Sequence, residues 1–428
     1  MDISKIKIRL LNRENMIIFY FYSLFIRWFA FGLIFPIAIK WNIVHFLWII
    51  NAVWAFIIIC DDIKKEYYKN YKIFDWIQVI YIIYIFLTWF FLAKNHSFFY
   101  LHEIVTYIQM GYIVYSYPKK IKKEKIECFF AKISQHYVCI VFMLTLVSVI
   151  LYVFGISEIK AIDGNNIMLY EGSYGLGHTA VLSRYFGLFS VSTLAGFFCY
   201  LAVILHFYFI EKKSHIFFQY FGILLNSYMI FLTDSRCAKF ILFLSFLFFI
   251  IKKFKINIYT KKFYKIILLF LLGSIGIILM FKFDLLKEII SNPYQILNNL
   301  SSNRLGIAKL IFESLNTVEK ILFGLGWCNN IVLQQINEIH PHNLFLSIYL
   351  YTGIIGVIIF FIFLITNIRQ IIKNNKIIKD MRCEWLVVII IAVFVESCLD
   401  ICIIGDAHVE TIFFWLSLGI LVNLNYIC

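Results

Sequence analysis

Four basic side chains stand in short polar stretches of a mostly apolar sequence, and their types suggest anion chemistry. They are Arg184, Arg236, Arg304 and His342. A guanidinium group is permanently charged and makes paired hydrogen bonds to phosphate oxygens. A histidine beside it can take a proton from a hydroxyl group near neutral pH. These residue types therefore favour a site that holds a phosphate or diphosphate and activates a hydroxyl.

Each of these residues also has a simpler interpretation. An arginine at the end of an apolar run can anchor a helix at a membrane surface or pair with a carboxylate such as Asp234. His342 can cap or pack against the helix that it precedes, and His340 competes with it for the proton-transfer role. For each residue taken singly, the sequence leaves both alternatives open.

Two carboxylates stand inside a further apolar run. Glu396 and Asp400 are four residues apart, which places both on one face of a helix. Carboxylates in a membrane helix are costly and are usually either functional or paired. They could orient His342 or an arginine, or pair with a neighbouring helix, and the sequence gives both alternatives equal weight.

The composition decides the class of protein. The 428 residues are 62% hydrophobic and 15% charged, whereas soluble domains carry about 45–50% apolar and about 25% charged residues. A single soluble globule cannot bury so much apolar surface, so a soluble enzyme and a disordered chain are excluded. The net charge of +14 would suggest nucleic acid in a soluble protein. Here the basic residues fall between apolar runs, which predicts membrane topology and no nucleic-acid partner.

The apolar runs predict an all-α integral membrane protein with about twelve transmembrane helices, forming a single domain over 1–428. A membrane helix needs about 20 mostly apolar residues, and the runs lack the alternation of a transmembrane barrel. The predicted helices are 16–39, 41–60, 73–93, 98–116, 133–155, 187–210, 216–233, 235–251, 263–281, 343–367, 384–404 and 410–426.

The distribution of positive charge orients these helices. The N-terminal segment and every second connection hold most of the 39 Lys and Arg residues. Basic loops stay on the cytoplasmic side, so both termini are predicted to be cytoplasmic. The outer connections include 156–186 and one large loop at 282–342. With this topology, the four basic residues are predicted to lie at one outer face. They are Arg184, Arg236, Arg304 and His342.

Three local patterns add detail. The first apolar run, 16–39, is longer than the about 7–15 residues of a cleavable signal, which predicts an uncleaved first helix. The segment 233–236 predicts a tight turn between two helices. In the large loop, 303–316 predicts an amphipathic helix that lies on the membrane or caps the bundle, because its apolar residues recur at helical spacing. Those residues are Leu305, Ala308, Ile311, Phe312 and Leu315.

Four short elements, in this order, resemble the signature of the O-antigen ligase and O-antigen polymerase superfamily. They are Arg184-Tyr185-Phe186-Gly187-Leu188-Phe189, then Leu232-Thr233-Asp234-Ser235-Arg236, then Asn303-Arg304-Leu305 leading to Phe323-Gly324-Leu325-Gly326, and finally His342-Asn343 followed by Gly353 and Gly356.

The resemblance implies a GT-C-like fold and an inverting, metal-independent glycosyltransferase without a cofactor. Its donor would be an undecaprenyl-diphosphate-linked oligosaccharide at the outer face of the inner membrane. By resemblance, Arg236 and Arg304 hold the diphosphate and stabilise it as it leaves, and His342 positions or deprotonates the acceptor hydroxyl. The predicted substrate-binding residues are Arg184, Asn343, Asp400 and His340.

Two enzymes of this superfamily use the same donor. A polymerase transfers the glycan to another lipid-linked repeat unit, of O-antigen or capsule, and a ligase transfers it to lipid A-core. The acidic residues Glu396, Asp400 and Asp406 favour the polymerase. A lipid-linked glycan flippase or another twelve-helix transporter is the alternative from a different class. Expected partners are membrane lipid, a chain-length regulator and a flippase.

Overall fold

The chain is mostly helical. A computed structural model describes residues 12–33, 37–93, 98–160, 166–173, 182–189, 191–254, 304–327, 341, 343–380, 383–399 and 409–427. Within these ranges the α-helices are α1 (Arg13–Leu33), α2 (Ile37–Lys64), α3 (Ile73–Leu92), α4 (Phe98–Ile108), α5 (Lys123–Val153), α6 (Ser192–Glu211), α7 (Ile216–Thr233), α8 (Arg236–Lys253), α9 (Arg304–Ser314), α10 (Val318–Phe323), α11 (Leu344–Lys373), α12 (Asn375–Asp380), α13 (Glu384–Leu399) and α14 (Val409–Ile427).

Six of the described helices contain a segment long and apolar enough to cross a membrane. These segments are His45–Lys64, Ile73–Leu92, Glu124–Val153, Ser192–Glu211, Ile216–Thr233 and Leu344–Lys373. The sequence predicted a membrane helix at each of these places. The predicted helix 263–281 and most of the loop 282–342 lie outside the described residues, so the number of twelve and the position of the termini stay predictions.

Several predicted helices differ from the structure at their bounds, and two of them have a local cause. The segment 98–116 is not one α-helix, because α4 continues into a π-helix at Gln109–Val114, where Gln78 Nε2 donates to Gly111 O (2.8 Å). The helix predicted at 187–210 begins only at Ser192. Gly187 lies before this helix. Its φ of +60 is not helical and it packs directly on Ser148, so the chain turns here and the helix starts only afterwards.

The helix α6 is the centre of the bundle. Nearly all of its side chains are buried, and α5, α7, α8 and α13 pack around it. Small residues permit this close approach: a Cβ atom on Gly222 of α7 would lie 2.2 Å from the His206 ring of α6. His206 Nδ1 in turn lies 2.6 Å from Gln219 Oε1. A helix buried on every side explains why its sequence is apolar without a polar face.

The bundle has two ends, which we define by their residues. The site end is the end where α8 and α11 begin and α13 finishes. At the opposite end, Lys252 Nζ of α8 contacts Glu211 of α6 (2.7 Å) and Glu384 of α13 (3.0 Å). Trp385 Nε1 also donates to Glu211 (2.6 Å). These contacts fix the spacing of α6, α8 and α13 at the opposite end, and the same three helices reach the site end.

The connection between α5 and α6 contains two small β-hairpins that the sequence did not predict. Strand β1 (Glu158–Lys160) pairs antiparallel with β2 (Asn166–Met168), and β3 (Tyr170–Ser173) pairs antiparallel with β4 (Leu182–Tyr185). Strands of three or four residues are too short to show an alternating pattern in a sequence.

The helix α11 is broken at Gly353, whose φ of 64 and ψ of −166 are not helical. A helix break removes the intrahelical donors of the preceding carbonyl groups. Here Leu350 O accepts from Leu325 N (2.8 Å) and Tyr351 O accepts from Gly326 N (3.1 Å). The next carbonyl, Thr352 O, accepts from Tyr84 Oη of α3 (2.9 Å). The turn after α10 and the helix α3 thus satisfy the break.

Glycine is required where the turn after α10 meets the break in α11, because there is no space for a side chain. A Cβ atom on Gly353 would lie 2.3 Å from Leu322 O, and one on Gly324 would lie 2.5 Å from the carbonyl carbon of Tyr351. A Cβ atom on Gly326 would lie 2.4 Å from Ala93 N. The two glycine motifs that stand far apart in the sequence therefore fold against each other, and we call this contact the glycine joint.

We expect Gly353→Ala to destabilise the protein strongly for two reasons. The added side chain would collide with the backbone of α10, and the backbone of residue 353 has φ and ψ values that only glycine readily adopts. The backbone strain alone costs about 1–3 kcal/mol. Gly155→Ala is the matched control, since Gly155 has φ +68 but nothing within 4 Å of an added Cβ. Thermal unfolding of the detergent-purified variants measures the difference. Equal unfolding temperatures for the two variants would contradict the tight packing of the joint.

Candidate functional site at one end of the bundle

Arg236 is carried by the turn between α7 and α8. The helix α7 ends at Thr233, Asp234 adopts φ 52, and Ser235 caps α8 by accepting a hydrogen bond from Ala238 N. Asp234 also forms an ion pair with Lys239. The predicted tight turn is confirmed. Arg236 is the first residue of α8, and its side chain is exposed at the site end.

The start of α8 is seated against α6. A Cβ atom on Gly196 of α6 would lie 2.9 Å from the Cβ atoms of both Ser235 and Ala238. Ser235 and Ala238 are buried. Because only glycine leaves room here, the cap of α8 rests directly on the α6 backbone, which fixes the height and direction of the turn that carries Arg236.

Asn343 holds the start of α11. Its Oδ1 accepts hydrogen bonds from the backbone N–H groups of Phe345 and Leu346 (both 3.0 Å), and its Nδ2 donates to Cys398 O (2.6 Å). One side chain therefore caps α11 and ties it to the end of α13. The sequence predicted Asn343 as a substrate-binding residue, and its described contacts are to the protein itself.

A buried hydrogen bond joins α6 to α13 close to these two helix starts. The hydroxyl of Tyr200 donates to Glu396 Oε2. Tyr200 is completely buried and Glu396 is 2% exposed. Of the two alternatives that the sequence left open for Glu396, the structure supports pairing with a neighbouring helix. Asp400 lies outside the described residues.

Arg184 lies in β4, opposite Glu171 of β3. Its neighbour Tyr185 donates to Ser148 O of α5 (2.5 Å), and burial raises the pKa of the Tyr185 hydroxyl. The strand also packs against α7. Arg184 Nε is buried and makes no hydrogen bond within the described residues. The hairpin thus holds Arg184 at the site end through its neighbours.

Arg304 is the first residue of α9, and its side chain is partly exposed. The predicted amphipathic helix is confirmed, but its predicted apolar face is partly wrong. Ile307, Ile311 and Leu315 are buried, whereas Leu305 and Phe312 are exposed at 40% and 58%. The helix packs on α11, where the rings of Phe312 and Tyr349 lie 5.5 Å apart. The buried face therefore keeps Ile311 and Leu315 of the predicted set and adds Ile307.

The described contacts therefore put Arg184, Arg236 and Asn343 on elements that meet at the site end, and they put Arg304 at the start of a helix that packs on α11. The residues that set these positions, above all Gly196 and Tyr200, were not predicted from the sequence. The cluster of small residues at 192–196 was the available signal for a close helix contact. Nothing in the sequence marked Tyr200, because its partner Glu396 is far away in the chain.

The two histidines, His340 and His342, lie outside the described residues, so their predicted roles are not tested by the geometry. In the described part of the chain, no group of three or more His, Cys, Asp or Glu side chains could hold a metal ion.

We expect Asn343→Ala to lower stability by about 1–2 kcal/mol for the lost cap, in addition to the loss of the donor to Cys398 O. Asn343→Asp keeps the capping oxygen but loses that donor, so it separates the two effects. Thr317→Ala, which removes the exposed cap of α10, is the control and should cost less. Thermal unfolding and hydrogen exchange at 344–352 measure the outcome. Unchanged exchange in Asn343→Ala would show that the cap does not hold this segment.

Comparison with known protein families finds a similarity over part of the chain. Residues 221–361 match the family described as O-antigen ligase, and no curated protein matches the chain. The matched segment begins in α7 and ends in α11, so it includes the turn with Arg236, the helix with Arg304 and the glycine joint. With six described helices able to cross a membrane, this is a multi-pass membrane protein, and its segment 221–361 is similar to the O-antigen ligase family.

Proposed function

We propose that the protein is a repeat-unit polymerase of O-antigen or capsule. It transfers a glycan from undecaprenyl diphosphate to a sugar hydroxyl of another lipid-linked repeat unit, with inversion and without a metal. The observation that carries the proposal is that the O-antigen ligase match spans Arg236, Arg304 and Asn343, which stand at the starts of three separate helices, α8, α9 and α11.

The charge chemistry of the leaving group supports this function. When the glycosidic bond to the carrier breaks, negative charge develops on the diphosphate. Fixed guanidinium groups in a partly dry site stabilise that charge without reorganising. Arg236 extends from a rigid turn seated on α6, and Arg304 begins a helix packed on α11. The two arginines would therefore bind the diphosphate from two sides, and Arg184 in its hairpin would bind the glycan or a phosphate oxygen.

On the acceptor side of the proposed reaction, His342 would receive the proton. A neutral imidazole can take the proton of the attacking hydroxyl as the new bond forms. His342 directly precedes Asn343, whose ties to α11 and α13 hold the local backbone. His340 and Asp400 would bind the acceptor sugar nearby. The reaction needs one group that receives a proton and cations that receive a diphosphate, and the predicted residues supply both.

Two other functions remain as alternatives with their own support. The matched family is described as O-antigen ligase, so transfer to lipid A-core is the second candidate. A flippase or transporter is less favoured, because transporters of this size place polar sites on broken helices near the midplane. The break described in α11 is instead closed by two backbone N–H groups and the Tyr84 hydroxyl. In either enzyme the chain would act in the inner membrane, with a flippase supplying the donor and a chain-length regulator as a partner.

The first test is an analysis of surface glycan in a deletion strain and its complemented twin. For a polymerase we expect a core bearing a single repeat unit and no ladder, because ligation continues without polymerisation. For a ligase the gel would show a bare core, with long glycan still on the lipid carrier. A complete ladder in the deletion strain would contradict both enzymes.

We expect Arg236→Ala, Arg304→Ala and His342→Ala each to reduce polymer formation by about 100-fold or more, the range seen when a group that stabilises transition-state charge is lost. Arg236→Lys should also fail if paired hydrogen bonds matter more than charge. The readout is the glycan ladder of membranes with matched protein levels.

Arg369→Ala is the control for these substitutions. Arg369 is an exposed arginine of α11 at the opposite end of the bundle, so its loss tests any general effect of removing a positive charge. Normal ladders from all three site variants would remove the assignment of the site.

A further inference from the structure

We propose that Tyr200 and Glu396 form a positioning pair that sets the distance between the diphosphate side and the acceptor side of the site. The inference rests on the proposed function and adds two residues to it. Neither residue needs to touch substrate. Their bond links the helix that seats Arg236 to the helix that anchors Asn343, and thereby the residue that precedes it, His342.

The first step of the link runs from Arg236 to Tyr200. The cap of α8 rests on Gly196, with 2.9 Å between an added Cβ and the Cβ of Ser235. Tyr200 follows Gly196 by four residues in α6, so the two lie on the same face, one turn apart. Any shift of α6 that moves Tyr200 therefore also moves the seat of the turn that carries Arg236.

The second step is the bond itself. The Tyr200 hydroxyl donates to Glu396 Oε2, and both side chains are buried. A hydrogen bond to a carboxylate is stronger than a neutral one, and a low local dielectric strengthens it further. Leaving either group without its partner in such surroundings is costly. The bond therefore opposes separation of α6 from α13 at this height.

The third step runs from Glu396 to the acceptor side. Cys398 is two residues further along α13, and its carbonyl accepts from Asn343 Nδ2 (2.6 Å). Asn343 also caps α11 through Phe345 N and Leu346 N. A displacement of the last turn of α13 is thus passed directly to the first turn of α11, where the residue before the cap is His342.

The opposite end of the same helices has its own tie, formed by Lys252, Glu211 and Glu384. Without the Tyr200–Glu396 bond, α6, α8 and α13 would therefore stay packed at the opposite end. At the site end, α6 and α13 would lose this tie to each other. Misplacement of reacting groups by about 1 Å can cost 10²-fold in rate. The pair consequently matters for catalysis more than for folding.

The test uses membranes or purified protein supplied with the lipid-linked repeat unit that accumulates in the deletion strain. We expect Tyr200→Phe and Glu396→Ala each to lower kcat at least tenfold, with KM for the lipid-linked repeat unit changed less than threefold. The double variant should be no worse than either single variant, because both remove the same bond. Glu396→Gln keeps an oxygen that accepts from Tyr200 and should retain activity within about threefold of the original protein.

Two controls separate positioning from general destabilisation. Tyr115→Phe removes another buried tyrosine bond between elements, the one to Asn367 Oδ1 (2.9 Å) towards the opposite end. Ser397→Ala removes a buried hydroxyl beside Glu396 whose described hydrogen bond lies within its own helix, to Val393 O (2.8 Å). Both controls should leave kcat within about threefold at normal protein levels.

Three results would overturn the proposal. Full activity of Tyr200→Phe would show that the bond is dispensable. Loss in Glu396→Gln equal to that in Glu396→Ala would assign Glu396 a proton-transfer role instead. An equal loss of kcat in Tyr115→Phe would show that the effect comes from general destabilisation of the protein. If Arg236→Ala stayed active while Tyr200→Phe was impaired, the proposed function would fail, whereas the reverse pattern would defeat the positioning pair alone.

Discussion

A helix that breaks in an apolar environment must find another donor for each backbone carbonyl that the break frees, since the bilayer offers no water. The break of α11 at Gly353 meets this requirement with donors from two distant segments, the turn at 325–326 and Tyr84 of α3. The outer helices α9 and α10 are thereby fastened to the bundle by backbone hydrogen bonds. The position of Arg304 depends on this joint, because Arg304 begins α9.

The remaining parts of the site depend on the buried helix α6. It contacts α5, α7, α8 and α13, and its Gly196 admits the cap of α8 at a distance that no side chain would permit. The site end is therefore built as a set of helix ends resting on one central helix. Such a scaffold suits electrostatic catalysis, since charged groups that are fixed before the reaction need not reorganise during it.

The site combines exposed cations with buried neutral and acidic partners beneath them. Arg236 is exposed at the start of α8, where the proposed diphosphate ligand would reach it. Tyr200 and Glu396 lie below, shielded from water. Under the proposed function, this division separates the groups that would meet a ligand from the groups that hold the helices.

The sequence by itself determined the membrane class, the helices at the six spans, the turn before Arg236 and the amphipathic helix after Arg304. These features depend on local composition and on periodicity, which are legible along the chain. Only the tertiary structure decided that Gly353 meets Gly324, that Ser235 rests on Gly196 and that Tyr200 bonds Glu396. It also decided which face of α9 is buried. Such contacts join residues far apart in sequence, and a single chain carries no local signal of a partner that only packing selects.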